Sequence, residues 1–148
     1  MNRTELLQFM RTHTNVVQAT VSPDGSPQAS IIGIAVTDSF EIIFDSLAET
    51  RKAKNLSLNP KIALVIGGWI PGDERTVQYE GVVDRPSGEE LEALKAIYYK
   101  TFASGPTRQA WPGLIYLRVR PRWIRYTDFD KNPIERVELD SRQLKTLT

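Results

Sequence analysis

Residues 44–60, FDSLAETRKAKNLSLNP, decide the reading of this chain. The apolar run Ile42-Ile43-Phe44 reads as a buried strand that leads into a short helix with Thr50-Arg51-Lys52 as its first turn. Thr50 is a good N-cap, because its hydroxyl accepts a hydrogen bond from a free first-turn amide. Arg51 and Lys52 then stand at the positive end of the helix dipole, whereas cations favour the last turn. Two cations beside free backbone N–H groups make an anion site, and phosphate is its usual occupant. The plainer alternative is a pair of solvated cations on an exposed helix.

Upstream, residues 4–11 have helical spacing, with Leu6, Leu7 and Met10 on one side. Val16 to Val21 reads as a strand. Pro23-Asp24-Gly25-Ser26-Pro27 is a turn, since Asp-Gly tolerates positive φ and the prolines fence it. Residues 28–36 follow as a second strand with small or apolar side chains on both faces, which predicts burial on both sides. Asp38-Ser39 turns the chain into a third strand, 41–45.

Downstream, Asn59-Pro60 ends the helix, 62–66 is a fourth strand, and 67–73 is a loop holding Trp69. In 75–83, Val77, Tyr79 and Val83 face one way and Thr76, Gln78 and Glu80 the other. Ser87-x-x-Glu90 has the form of a capping box. It opens a helix with Leu91, Leu94, Tyr98 and Phe102 along one stripe. A loop broken by Gly and Pro, 103–113, carries Trp111. Ile115, Leu117 and Val119 alternate with Tyr116, Arg118 and Arg120 as a half-exposed strand. Pro121 interrupts it, and 123–127 resumes as a further strand. The stretch after Asn132-Pro133 is polar and shows no clear pattern. Six or so short strands joined by hairpins, with a few helices, predict a mainly β, antiparallel sheet closed into a barrel. No repeat or linker divides the chain, so 1–148 reads as a single domain.

Composition narrows the function. Lys plus Arg is 19 against Asp plus Glu 18, a net charge of +1 that gives no support to nucleic-acid binding. No apolar run is long enough to span a bilayer, so no membrane role is expected. The N-terminus MNRTELLQFMRTHT has no signal-peptide core, and a cytoplasmic location is the default expectation. With no cysteine there is no thiol nucleophile, disulfide frame or thiolate metal site. The one histidine, His13, sits near a helix end and reads as a surface or cap residue rather than a catalyst. Asp128-Phe129-Asp130 reads as a turn before it reads as a divalent-ion site. No Rossmann fingerprint, P-loop or nucleophile elbow is present. The side chains offer little catalysis of their own, so a cofactor is expected to supply the chemistry while the protein binds and orients it. Thr76 and Gln78 are candidate hydrogen-bond partners for ring edges. Trp111 and Trp123 are candidates for stacking, and Trp69 reads as core or interface packing.

The order VVQATVSPDGSPQASIIGIAV, EIIFDS, TRKAKNLSLNPKIALVI, ERTVQYEGVVDR, a helix, then IYLRVRPRWIRYTDF resembles the pyridoxamine 5′-phosphate oxidase-like, FMN-binding split-barrel family. The resemblance runs from about Leu6 to Phe129 and is most specific at TRKAKNLSLNPKIALVI. It implies a mainly β fold with a few helices, a split β-barrel that is antiparallel and Greek-key-like. It implies that Thr50, Arg51 and Lys52 hold the phosphate of FMN. Ser30, Ile31 and Ile32 fall on the strand that flanks the ring. Asp45 and Ser46 fall near the ribityl chain, and Thr76 and Gln78 in the region that bonds the flavin. It further implies a homodimer with two FMN sites at the subunit interface, which Trp111 and Trp123 reach from the partner chain. Oxidoreductase action on a small organic substrate is the expected function; a non-catalytic flavin-binding sensor or stress-related protein and a deazaflavin-dependent reductase are the alternatives. The chain departs from the true oxidases at Ser30 and Ala35, where they place an arginine and a lysine. The tail PIERVELDSRQLKTLT also lacks their basic, aromatic character, so vitamin B6 oxidation is not expected.

Overall fold

Asp24 and Gly25 fold the chain back on itself: Gly25 takes φ +85°, and Asp24 Oδ1 accepts the Ser26 N–H at 3.0 Å. The hairpin pairs β1 (Asn15–Val21) with β2 (Pro27–Gly33), Gln18 opposite Ser30 and Thr20 opposite Gln28. Two short hops lead through β3 (Ala35–Val36) to β4 (Ile42–Leu47), and α2 (Arg51–Leu58) returns the chain to β5 (Lys61–Gly67). β6 (Arg75–Asp84) and β7 (Leu114–Asp128) follow, then β8 (Glu135–Asp140). The computed structural model describes residues 1–148 and shows one mostly antiparallel eight-stranded sheet, curled into a half-barrel. Its order is β2-β1-β5-β6-β7-β4-β3, with β8 on β7. The two ends of this path, β2 and β3, are separated in the chain only by Ile34, whose N–H donates to Thr14 O at 2.8 Å. The chain itself thus links the two ends of the curled sheet, while the Ile34 bond continues the β1–β2 ladder.

The inner face holds the main core, with Val16, Leu64, Ile66, Val77, Tyr79 and Ile124 packed on α1 (Arg3–Thr12) and α2. A smaller cluster on the outside packs α3 (Gly88–Thr101) on the sheet through Ala35, Ile43, Leu94, Tyr98 and Tyr116.

Three stretches depart from expectation. Residues 28–36 are not one doubly buried strand: β2 is an edge with Ser30 exposed and Ile31 72% exposed, and only β3 is buried on both sides. The Gly33 position is filled by Phe102, 2.7 Å from where a Cβ would stand, so that glycine serves helix packing. Pro121 does not end a strand, because β7 is continuous over 15 residues and absorbs the proline at a bulge opposite Glu80/Gly81. The tail after Pro133 forms β8 and then α5 (Ser141–Thr146), opened by an Asp140/Gln143 capping box.

The Ser87 side chain makes no capping bond. Glu90 turns instead to Arg118, a side chain only 5% exposed that is also held by Asp84 at 2.9 and 2.6 Å. The first half of β7 is therefore buried on both faces, since α3 covers the outer one. Asp84→Ala leaves this guanidinium short of its fork partner, and we expect a loss of about 3 kcal/mol. At about 2–4 °C per kcal/mol for a chain of this size, Tm falls by about 6–12 °C. Thermal unfolding checks it; a change below about 2 °C would show that water replaces the carboxylate. The Arg118 bond holds the Asp84 carboxyl below its ordinary pKa. Its contribution is present above that ordinary value and is lost as pH falls through the lowered one. Arg75 likewise holds Asp73 at about 2, with the same sign.

Candidate functional site

The strand-to-helix junction forms as the sequence indicates. Thr50, with extended backbone at ψ 153°, accepts the Ala53 N–H at 3.3 Å and donates to Leu47 O at 2.9 Å. Ser46 lies buried beneath it, 3.0 Å from the Thr50 hydroxyl. With Ala53 capped, the first-turn N–H groups of Arg51 and Lys52 have no intrachain acceptor. Neither side chain has a carboxylate within ion-pair distance. Burial pushes the Lys52 ammonium below its ordinary pKa, partly opposed by Asp45. A half-buried, unpaired cation is a costly arrangement that an anion would relieve.

These groups line one side of a groove of about 580 Å³. The other side is the inner face of the β1–β2 hairpin, with Gln18, Thr20, Gln28 and Ser30. Asn55 of α2 ties it in place, its Nδ2 donating to Thr20 Oγ1 at 3.0 Å and to Gln28 Oε1 at 2.9 Å. Gln18 Nε2 donates to Ser30 Oγ at 2.7 Å. The lining holds Arg51, Lys52 and Lys54 against Glu49 alone, so it carries positive charge and neutral donors.

The expected residues divide between two faces. Ser30, Thr50, Arg51 and Lys52 meet in the groove, with Ser46 just below. Ile32 is core at 7% exposure. Asp45 faces the other way and pairs with Arg108 at 2.9 Å. Ile31, Gln78, Thr76 and Trp123 lie on the outer face, where Ile31, Val17, Val65, Gln78 and Arg125 stand in register across five strands. Trp123 stacks under the Arg125 guanidinium, 5.1 Å from its centroid. Trp111 is 52% exposed in the turn after α4 (Gly105–Arg108), and Trp69 is 48% exposed rather than in the core. His13 caps α1, buried, with Nδ1 2.8 Å from Phe9 O. Asp128 and Asp130 form a turn, and no three potential ligands gather for a metal.

The sequence reading missed Gln18, Thr20, Gln28 and Asn55. A signal existed: a hairpin centred on Asp24 pairs positions that sum to 48, which sets Gln18 against Ser30 and Thr20 against Gln28. Four polar residues on a face that elsewhere is core mark a site.

Comparison with known proteins follows the same lines. Residues 3–128 match the family model described as "Pyridoxamine 5'-phosphate oxidase". A pyridoxine/pyridoxamine 5′-phosphate oxidase of Bordetella petrii is 33% identical over 125 residues, covering 84% of this chain and 50% of the relative. The chain spans about half the length of the curated relatives it matches. A heme binding protein of Mycobacterium smegmatis superposes with TM-score 0.81 at 18% identity, over 99% of this chain and 61% of that one. A pyridoxamine 5′-phosphate oxidase-related, FMN binding protein of Nostoc punctiforme gives 0.71 at 14%, over 95% and 90%. These two show the shared fold. By sequence and by the split-barrel architecture together, the chain belongs to the pyridoxamine 5′-phosphate oxidase family.

Proposed function

We propose that this chain binds FMN, with its phosphate in the groove at the α2 N-terminus, and passes electrons or a hydride to or from a small organic substrate. The observation that carries the reading is the pair Arg51 and Lys52, unpaired beside free N–H groups in a groove of neutral donors. The set fits a phosphate: point charge from Lys52, a planar fork from Arg51 and backbone donors from the helix. FMN supplies the redox chemistry when bound. The chain's own part is to bind and orient it: Thr50 fixes the helix start, and Ser46 holds the Thr50 hydroxyl. The fold is shared with heme proteins, but the lone histidine is buried and bonded to Phe9, and there is no cysteine. This weighs toward a flavin. No helix is long and apolar enough to cross a membrane.

The test is the absorbance spectrum and mass of the cofactor released on denaturation. FMN is expected; a deazaflavin would move the chain to the reductase reading, and no bound cofactor with no affinity for added FMN would overturn both.

The two-faced distribution of candidate residues supports a homodimer. Within one chain Gln78 and Trp123 face away from the groove, so they reach a flavin only across a subunit boundary. The outer face also exposes Ile31 at 72% and Val65 at 40%, the kind of apolar surface that an interface core covers. Light scattering at micromolar concentration is expected to give twice the protomer mass, and Ile31→Glu to shift it toward monomer. A wild-type monomer that still holds flavin tightly would sink the shared site.

A further inference from the structure

Gln18 is 1% exposed, and its Oε1 is buried with no hydrogen-bond partner. An unpaired buried acceptor is costly, and the register partner of Gln18 on the other side is Leu64, so an aliphatic residue would suit the inner face better. What the amide does have is its Nε2 bond to Ser30 Oγ at 2.7 Å. The reversed amide would leave its N–H donors buried without acceptors, which favours the orientation described. Because Ser30 Oγ accepts from Gln18, its own hydrogen must point elsewhere. Ser30 is exposed and shares the groove with Arg51 and Lys52. The neighbouring pair is polarised alike: Gln28 Oε1 accepts from Asn55, which leaves the Gln28 N–H₂ as its free end.

We propose that Gln18 is a positioning residue that makes the Ser30 hydroxyl a donor to the bound phosphate, and that this oriented hydroxyl replaces the arginine that the resemblance implies at this position. The proposal rests on the phosphate-site reading. It gives the groove cations on the α2 side only, faced by a neutral wall with a fixed donor direction.

The experiment titrates FMN, riboflavin and inorganic phosphate into the apo protein. Riboflavin lacks the phosphate, so it separates loss of a phosphate donor from damage to the ring site. Ser30→Ala is expected to weaken FMN and phosphate about tenfold and to leave riboflavin unchanged. Gln18→Leu leaves the Ser30 hydroxyl able to donate but no longer aimed, so it is expected to weaken FMN and phosphate by a smaller factor, about threefold, to leave riboflavin unchanged, and to add nothing to Ser30→Ala in the double variant. Gln18→Glu is the sharpest arm. At neutral pH the introduced carboxylate accepts the Ser30 hydrogen, so the phosphate loses its donor and meets a new negative charge. As pH falls and that carboxyl protonates, it donates to Ser30 Oγ as the amide did. FMN affinity then recovers relative to wild type, a limb absent from Gln18→Leu. If Gln18→Glu does not fold, Ser30→Ala and Gln18→Leu still decide. An unchanged ratio of FMN to riboflavin affinity in those two overturns this inference alone. A wild-type protein that binds neither FMN nor phosphate overturns the phosphate site and this inference with it.

Discussion

Arg51→Ala and Lys52→Ala each weaken FMN binding by about tenfold to a hundredfold while the apo protein keeps or slightly gains stability. The affinity loss follows from the charge-assisted bonds to phosphate, about 1.5–3 kcal/mol each, at 1.4 kcal/mol per decade. The stability arm follows from the same geometry. Neither cation has an ion-pair partner to lose, and both oppose the dipole of α2. Removing either relieves an unfavourable term of about 0.3–1 kcal/mol, offset at Lys52 by the packing of its half-buried stem. A pH series adds a check on the sign. Burial lowers the Lys52 pKa, so the cation is lost at a lower pH than an ordinary lysine. Wild-type affinity declines on the alkaline side, and Lys52→Ala lacks the limb that Lys52 contributes. Titration of FMN into each apo variant, with thermal unfolding in parallel, measures both arms. Unchanged affinity in both variants would remove the phosphate from this groove.

The α2 segment was legible because every cue in it is local. Thr50 caps the amide three residues on, and the cations at 51 and 52 are set by the same turn. Hairpin registers were legible wherever a turn residue fixed them, as at Asp24-Gly25. What the sequence hid depends on partners far along the chain. Glu90 belongs to a local capping pattern with Ser87, but the buried Arg118 guanidinium, 28 residues on, offers it a stronger bond. Pro121 reads as a strand end, yet a bulge takes up the missing donor and lets one strand serve two halves of the sheet. The strand β8 is polar on its open side and gains its place only by pairing with β7, Leu139 opposite Ile124. The second strand reads as doubly buried because both its faces are apolar or small; it is an edge whose outer face exposes Ile31. Under the proposed homodimer, that misreading and the division of the site share one cause, since a surface that meets a second body has the composition of a core.

The remaining expectation with a large effect is negative: this chain does not oxidise pyridoxine or pyridoxamine 5′-phosphate at an enzymatic rate, even with FMN saturating. A phosphate-bearing substrate beside a phosphate-bearing cofactor needs cations for both. The resemblance implies a lysine where Ala35 stands, and Ala35 is 2% exposed under α3, packed with Ile43, Leu94, Tyr98 and Tyr116. The methyl group of Ala35 brings no charge to the groove it lines beside Ile97 and Lys100. Ser30 offers a hydroxyl where the resemblance implies an arginine, and that hydroxyl faces the groove proposed for the cofactor phosphate. Residues 133–148 contribute no aromatic side chain, and their three cations, Arg136, Arg142 and Lys145, are matched by Glu135, Glu138 and Asp140. Glu138 and Glu135 pair with Arg125 and Lys131, and β8 pairs with β7 along its length, so the segment closes the sheet. On the proposed reading, the space beside the flavin suits a less anionic substrate. Formation of pyridoxal phosphate under air is the assay. Turnover on the order of 1 per second or above would restore the vitamin B6 reading and require a phosphate-binding group elsewhere in the assembled protein.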